Sequence, residues 1–582
     1  MARQLEHFPN LVTMFLARVS EKGDAPFLWA KRGGAWQSIS WREAARQAAA
    51  LAESLKRIGV APGDRVMLVS ENRPEWLIAD LGIMAAGAVT VPAYTTNTVR
   101  DHTHILGNSG AKAVIVSSQK LARTLIPAVL FSSECHHVIG IEDFRTGQAP
   151  GTVDFHHWAD LIAGEPDLLA LKQSVETVNR KDLACIIYTS GTGGAPRGVM
   201  QHHGSILANL EGAADVISTD FGWDDEVFLS FLPASHAYEH TGGQHFPIGL
   251  GAQIYYAESL EKLAANIEEV RPTIMVVVPR LFEMLRARIL KTIEGSGGVS
   301  KYMLRRALSI GAKKYEGRRN PLDLPMDGIL SLTLRKKVRG RFGGRMKAMV
   351  SGGAPLNPEV GMFFQSLGLT FLQGYGQTEA GPVISCNRPA AGLRMDSVGP
   401  PVKGCEVRIA EDGEIMVRGE LVMHGYWQNP DETKRVLVGD GWLATGDVGH
   451  LDERGRIVIT DRKKDLIVND KGDNVSPQRV EGMLTLQPEI AQAMVYGDRR
   501  PYLVALLVPE AEYADRPDLQ QRLSKAVDKV NADLSVIERV RRFIVADEPF
   551  TTDNEQLTPS LKIRRHVIKK VYGERLDVFY GH

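Results

Sequence analysis

Cysteine is scarce in this chain, with four (Cys135, Cys185, Cys386 and Cys405) in 582 residues. Four cannot staple a fold of this length, and no CxxC pair occurs. A disulfide framework and a thiolate zinc site are therefore excluded. Cys135-His136-His137 holds metal-ligand residue types, but three adjacent side chains rarely converge on one ion, and it reads as a loop after an apolar strand. Charge of one sign is also lacking, since 69 Lys and Arg balance 69 Asp and Glu. A dedicated nucleic-acid binder is usually basic overall, so nucleic acid is not expected as a partner. Long hydrophobic runs are absent as well. The most apolar stretch, residues 76–94, is interrupted by Asp80 and Pro92 and falls short of a membrane span. Met1-Ala2-Arg3-Gln4 opens no apolar signal region. The expected address is a reducing cytoplasm.

What is present is an ordinary globular composition, 44% hydrophobic and 24% charged, which argues against extensive disorder. The length suggests about three or four folding units. Short, β-branched, near-continuously apolar runs (65–70, 113–117, 183–188, 274–278, 347–351) alternate with helical patterns such as 41–58 and 259–270. This alternation predicts an α/β fold of doubly wound sheets, with helices on both faces. From Gly399 onward, short strands and the turn dipeptides Asp412-Gly413 and Asp440-Gly441 predict a small β-rich subdomain over about 399–461. Helix 477–487 and strands 491–496 and 503–508 then predict a small α+β domain. The expected division is 1–461 and 462–582. No internal repeat or low-complexity tract occurs.

Residues 301–345 carry 13 Lys or Arg against 3 Asp or Glu, a net +10. Such a segment is either a solvated helical face or a surface attracted to anionic headgroups or polyanions.

The strongest local signal is Tyr188-Thr-Ser-Gly-Thr-Gly-Gly-Ala-Pro-Arg-Gly-Val199, directly after an apolar run. A strand ending in hydroxyls and glycines offers backbone N–H donors to phosphate oxygens. The P-loop and dinucleotide patterns both fail here, because Pro196 and Arg197 stand where they need glycine and lysine. The stretch resembles the phosphate loop of the adenylate-forming superfamily, the acyl-CoA synthetases and their relatives, with Gly193 for a threonine and Arg197 for a lysine. Further blocks follow in that family's order. They are Leu232-Pro-Ala-Ser-His236, Ser351-Gly-Gly-Ala-Pro355, Gln373-Gly-Tyr-Gly-Gln-Thr-Glu379, Thr445-Gly-Asp447, Asp461-Arg-Lys-Lys-Asp-Leu466 and Leu557-Thr-Pro-Ser-Leu-Lys-Ile-Arg-Arg565.

The resemblance implies a large adenylation domain followed by a mobile C-terminal domain that turns about Lys464. It implies a nucleotide site of Thr189, Ser190, Gly191, Thr192, Gly193, Gly194, Arg197, Gly353, Ala354, Pro355, Gln373, Gly374, Tyr375, Gly376, Thr378, Asp447 and Arg462. Within it, Tyr375 would pack on adenine, Asp447 would accept the ribose hydroxyls, and Glu379 with Thr189 would hold Mg²⁺. A carboxylate suits that hard cation and an aromatic ring suits a purine. His236 would lie beside the acyl site, and Lys562 would be the catalytic lysine of adenylation. The implied reaction takes ATP, a fatty acid and CoA. A carrier-protein thiol is the alternative acceptor, and a non-catalytic nucleotide binder is a more distant one. The 301–345 segment, the LTPSLKIRR ending and the DRKKD connector resemble the long-chain group. Gly242, Gly243, Gly249 and Gly251 are read as leaving room for an acyl tunnel. Peripheral contact with the inner face of a membrane through 301–345, and a homodimer, are compatible with this reading.

Overall fold

The computed structural model describes residues 3–143, 153–189, 195–295, 297–318, 320–558 and 563–581. The apolar runs form mainly parallel strands buried on both faces. A seven-stranded sheet runs in the order Asp154–His157, His137–Gly140, Ala113–Val116, Arg65–Val69, Val89–Ala93, Leu183–Thr189, Arg197–His202. An eight-stranded sheet runs Val383–Cys386, Phe371–Gly376, Ala348–Ser351, Ile274–Val277, Val227–Ser230, Gln253–Tyr256, Pro26–Arg32, Ala35–Ser40. A five-stranded antiparallel sheet of short strands spans Glu406–Ile409 to Ile457–Arg462. A three-stranded sheet (Ile490–Tyr496, Leu503–Pro509, Val540–Val545) with helices Pro477–Leu484, Leu519–Ala532 and Arg565–Asp577 follows it.

Helix Trp41–Arg57 starts where Ser40 Oγ accepts from Glu43 N at 3.2 Å, a capping bond that satisfies an orphan donor. It packs closely on Pro74–Ala85, where a Cβ at Gly82 would lie 2.8 Å from Leu51 Cδ2. Every residue of Pro74–Ala85 is buried, which accounts for the apolar stretch at 76–94. No helix among the described residues is long and apolar enough to cross a membrane.

Three readings need correction. Cys135 follows a helix, Gln119–Leu130, rather than a strand. Leu121, Ala122, Leu125, Ala128 and Val129 form its buried stripe, a helical period that outweighs the β-branched end. Residues 260–262 are a turn, and the helix begins at Leu263 rather than Ser259. Glu258, tied to Lys262 and Asn266 at 2.9 Å each, closes that turn. The glycines read as tunnel space are filled by their neighbours. A Cβ at Gly243 would stand 2.2 Å from Glu239 Oε1, and one at Gly249 would meet Leu5 and Met14 at 3.4–3.5 Å. Gly251 is a left-handed helix cap with Lys22 at 3.0 Å, and Gly242 faces Val276 at 3.2 Å.

Asp80, in the middle of its apolar helix, finds its side-chain partners far along the chain. Its Oδ2 accepts from His240 Nε2 at 3.0 Å and His245 Nε2 at 2.9 Å, with all three side chains buried. Residues His240–His245 form a π-helix, whose wider turn puts positions i and i+5 on one face.

Burial also sets an acid response. It pushes His102 down to about 4 and His203 down to about 3, so both are neutral in the fold. The unfolded chain takes up these protons below about 6.5 and the folded chain does not, so stability falls as pH drops through that window. Each group contributes a slope of at most about 1.4 kcal/mol per pH unit. Buried Glu239, pushed up to about 8 by burial against the bonds from Ser230 and Gln244, has the opposite sign. Its contribution is full below about 4.5 and is lost as pH rises towards 8. His203→Gln should therefore lose less thermal stability than wild type between pH 6.5 and 4.5. Parallel melting-temperature profiles would contradict this.

Candidate active site

Strands Leu183–Thr189, Ala348–Ser351 and Phe371–Gly376 run to one cleft of about 2220 Å³, where Thr189, Val350 and Tyr375 are among the lining residues. The crevice beyond the carboxyl ends of parallel strands is where α/β sheets take ligands. The antiparallel sheet contributes Glu414, Asp447 and Arg462 to its walls, and the C-terminal region contributes Thr558, Ile563 and Lys569.

The segment 373–379 enters this cleft because the protein holds its backbone elsewhere. Gln201 Nε2 donates to Thr378 O at 2.8 Å, Met423 N to Glu379 O at 2.9 Å, and Asn209 Nδ2 to Ala380 O at 3.1 Å. The carbonyls are thus engaged, while Thr378 and Glu379 line the cleft. Gly376 is required, since a Cβ there would lie 1.8 Å from Pro382 O. Gln373 Oε1 is buried and has no hydrogen-bond partner among the described residues. Gly353, Ala354 and Pro355 line the facing loop. Neighbouring Gly352 admits the ring of Tyr238, which a Cβ would meet at 2.8 Å, and Tyr238 Oη donates to Val350 O at 2.7 Å.

Three predicted residues from distant blocks form one unit. Tyr375 Oη donates to Asp447 Oδ2 at 2.7 Å, and Arg462 Nε lies 3.2 Å from Asp447 Oδ1. Burial, reinforced by the Asp447 charge, holds the Tyr375 phenol well above its usual range. Burial would lower the Arg462 pKa, but Asp447, Asp465 and Glu379 raise it, so the guanidinium is firmly charged. Gly446 N donates to Glu414 Oε1 at 2.8 Å, setting the turn that aims Asp447.

Other placements are less direct. His236 caps the short helix Ala237–Glu239, accepting from Tyr238 N at 3.2 Å, and lines the cleft. Arg197 is turned onto Glu432 and sits over the Tyr426 ring at 4.6 Å. Tyr426 Oη in turn donates to Glu379 Oε1 at 2.9 Å. Tyr426 and Glu432 were not anticipated, because nothing in Gly425-Tyr426-Trp427 marks a ligand to a carboxylate 47 residues earlier. Ser190, Gly191, Thr192, Gly193, Gly194 and Lys562 lie outside the described residues. Their flanks converge, however. Thr189 stands opposite Arg197 in an antiparallel pair, and Leu557 bridges to Ile563. Lys464 is exposed in the turn between strands Ile457–Arg462 and Ile467–Val468.

A family model described as AMP-binding enzyme matches residues 15–427, and one for the AMP-binding enzyme C-terminal domain matches 464–582. The chain belongs to the AMP-binding enzyme family. It is 32% identical to the long-chain-fatty-acid–CoA ligases FadD15 of Mycobacterium bovis and Mycobacterium tuberculosis, over 94% of this chain and 93% of each relative. It is 28% identical to the chloroplastic long-chain-fatty-acid–[acyl-carrier-protein] ligase AEE15 of Arabidopsis thaliana, over 93% of this chain and 83% of that one. In fold it resembles the adenylation domain of a carboxylic acid reductase from Segniliparus rugosus, solved with AMP and a co-purified carboxylic acid. That likeness has a TM-score of 0.77 and 22% identity over 99% of this chain and 94% of that one. The second family match begins at Lys464, the turn residue that follows the last strand of the antiparallel sheet. In this AMP-binding enzyme the cleft thus joins side chains from both matched regions.

Proposed function

We propose that the protein is an ATP-dependent long-chain fatty acid–CoA ligase. The fatty carboxylate attacks the α-phosphorus of ATP, the bond to the β-bridging oxygen breaks, and pyrophosphate leaves. The CoA thiolate then attacks the acyl carbonyl of the adenylate, and AMP departs with the electrons of the broken C–O bond. The observation that carries this reading is the meeting of Tyr375, Glu379, Asp447 and Arg462 in one cleft, in a chain similar to long-chain ligases along 94% of its length.

In this reading Tyr375 offers its face to adenine, Gln373 Oε1 accepts from a purine donor, and the Asp447 carboxylate accepts from the ribose hydroxyls. Arg462 and Thr378 face the α-phosphate, and the outer phosphates fall to Arg197, which must leave Glu432 to meet them, and to the loop before it. Glu379 and Thr189 give the oxygen donors Mg²⁺ prefers, and bound there it would neutralise phosphate charge. His236 and Tyr238 border the acyl carbonyl. The enzyme works in the cytoplasm, as monomer or homodimer, with residues 301–345 towards anionic headgroups.

A panel of C2–C18 acids assayed with ATP and CoA tests the reading. Thioester yield should rise with chain length, because each buried CH₂ contributes about 0.8 kcal/mol. The likeness to AEE15 supports a second acceptor, a carrier-protein thiol. Adenylate formation with no CoA thioester, but transfer to a holo-carrier protein, would select it.

A further inference from the structure

We propose that helix Leu324–Leu332 lies in the surface of an anionic membrane, with its apolar stripe among the acyl chains and the neighbouring basic helices on the headgroups. This deepens the membrane contact of the proposed ligase, and its purpose rests on that reading. The helix is amphipathic in the inverted sense. Leu322, Leu324, Ile329 and Leu332 are 85%, 66%, 52% and 76% exposed. Positions 324, 328 and 332 repeat every four residues, with 325 and 329 beside them, so they share one face. Leu330 is buried on the other side.

That orientation is locked. Asp323 binds Arg306 at 2.9 Å and Lys313 at 2.8 Å, and Asp327 binds Lys314 and Arg335, each at 2.7 Å. Arg335 is itself buried and donates to Ser366 O at 2.9 Å. These ties hold the polar side against the domain and leave four large apolar side chains in water, where a contiguous patch marks an interaction site.

Charge selects the occupant. Both aspartates of this region are consumed by internal pairs. Lys301, Arg305, Lys336, Lys337 and Arg339, on the helices to either side, are exposed and have no carboxylate partner among the described residues. A second copy would set one +10 segment against another, whereas an anionic bilayer neutralises it and buries the leucines. The placement also suits delivery. The neighbouring helix Pro279–Glu294 lines the cleft with Glu283 and Arg286, and its Phe282 shares a core with Leu304, Ala307 and Leu330.

The test is co-sedimentation of the full chain with phosphatidylcholine vesicles, with and without 30% phosphatidylglycerol, in the absence of ATP. Wild type should bind the anionic vesicles roughly tenfold or more tightly than neutral ones. Leu324→Ser/Ile329→Ser/Leu332→Ser should lose roughly tenfold or more of that binding with its melting temperature held. Leu322→Cys carrying an environment-sensitive dye should shift to the blue on anionic vesicles. Equal binding by wild type and triple variant, or no dye shift, overturns the proposal. So does a wild-type dimer that the triple variant converts to monomer, since that assigns the stripe to a second copy. Vesicle binding without thioester formation would reject the ligase reading and leave the docking face standing.

Discussion

Lys562→Ala should slow single-turnover adenylate formation by about two to three decades while ATP affinity largely persists. Displacement at the α-phosphorus brings two anions together, and charge builds on the non-bridging oxygens only as the transition state forms. A preorganised cation at that point is worth about 3–4 kcal/mol. Residues on either side of Lys562, Thr558 and Ile563, line the same cleft as Tyr375 and Glu379. The Leu557–Ile563 bridge and the Arg565–Glu481 pair at 2.5 Å hold those flanks in place. Ground-state ATP would still meet Arg462, whose charge the facing acids reinforce. Binding and chemistry should therefore separate. Pyrophosphate release in a single turnover, measured beside equilibrium nucleotide binding, checks this. Transfer from supplied acyl-adenylate to CoA should continue in the variant, because the role proposed for the lysine is confined to the first step. Equal first-step rates in variant and wild type would remove Lys562 from the mechanism.

The site was legible where ligand and scaffold share one short segment. Residues 373–379 carry the aromatic, the hydroxyl, the carboxylate and the glycine that the turn demands within seven positions. The strands were legible because burial on both faces leaves a continuous apolar run. Their last residues were not, since the strands end at Val69, Val116 and Val277, one residue before Ser70, Ser117 and Val278. Long-range partners left no local trace. The Tyr426–Glu379 bond, the Arg197–Glu432 pair and the Asp80–His240–His245 cluster each join segments tens to hundreds of residues apart. The supposed tunnel glycines failed for the same reason. A missing side chain makes room only if nothing else fills it, and Glu239, Leu5 and Met14 fill those positions. The exposed stripe at 322–332 was hidden too, because its spacing alone does not say which face meets water.

Lys464→Pro should block one half-reaction by about a hundredfold or more and leave the other within about threefold. In the proposed two-step reaction a thiol must reach the acyl carbonyl once the adenylate exists, and the proposed role of Lys562 belongs to the first step, so the two steps call for different placements of residues beyond 464. The chain before this residue is fixed. Lys463 Nζ binds Asp412 at 2.6 Å and Glu414 at 2.9 Å, and Lys463 N donates to Gly446 O at 2.8 Å. Just after it, Asp465 N and Leu466 N both donate to Arg462 O at 3.0 Å, a small closure that a backbone rotation at 464 would open. Arg565, part-buried and charged, is held by Glu481 and faces Asp465 and Asp461 across the connector. Turning the connector therefore changes its electrostatic surroundings. The ion pairs that cross to helix Pro279–Glu294, Lys291–Glu512 at 3.4 Å and Arg280–Glu510 at 3.9 Å, are exposed. Such pairs contribute only about 0–1 kcal/mol each, too little to hold one placement. Proline fixes φ near −65° and pushes the preceding residue out of the helical region, so it fits one backbone state and excludes the other. Pyrophosphate release and thioester formation from supplied acyl-adenylate, assayed separately, report the two steps, with Lys464→Ala as the control that should spare both. If proline depresses the two steps equally, the rotation is centred elsewhere in 462–466, and the closure on Arg462 O becomes the next place to cut.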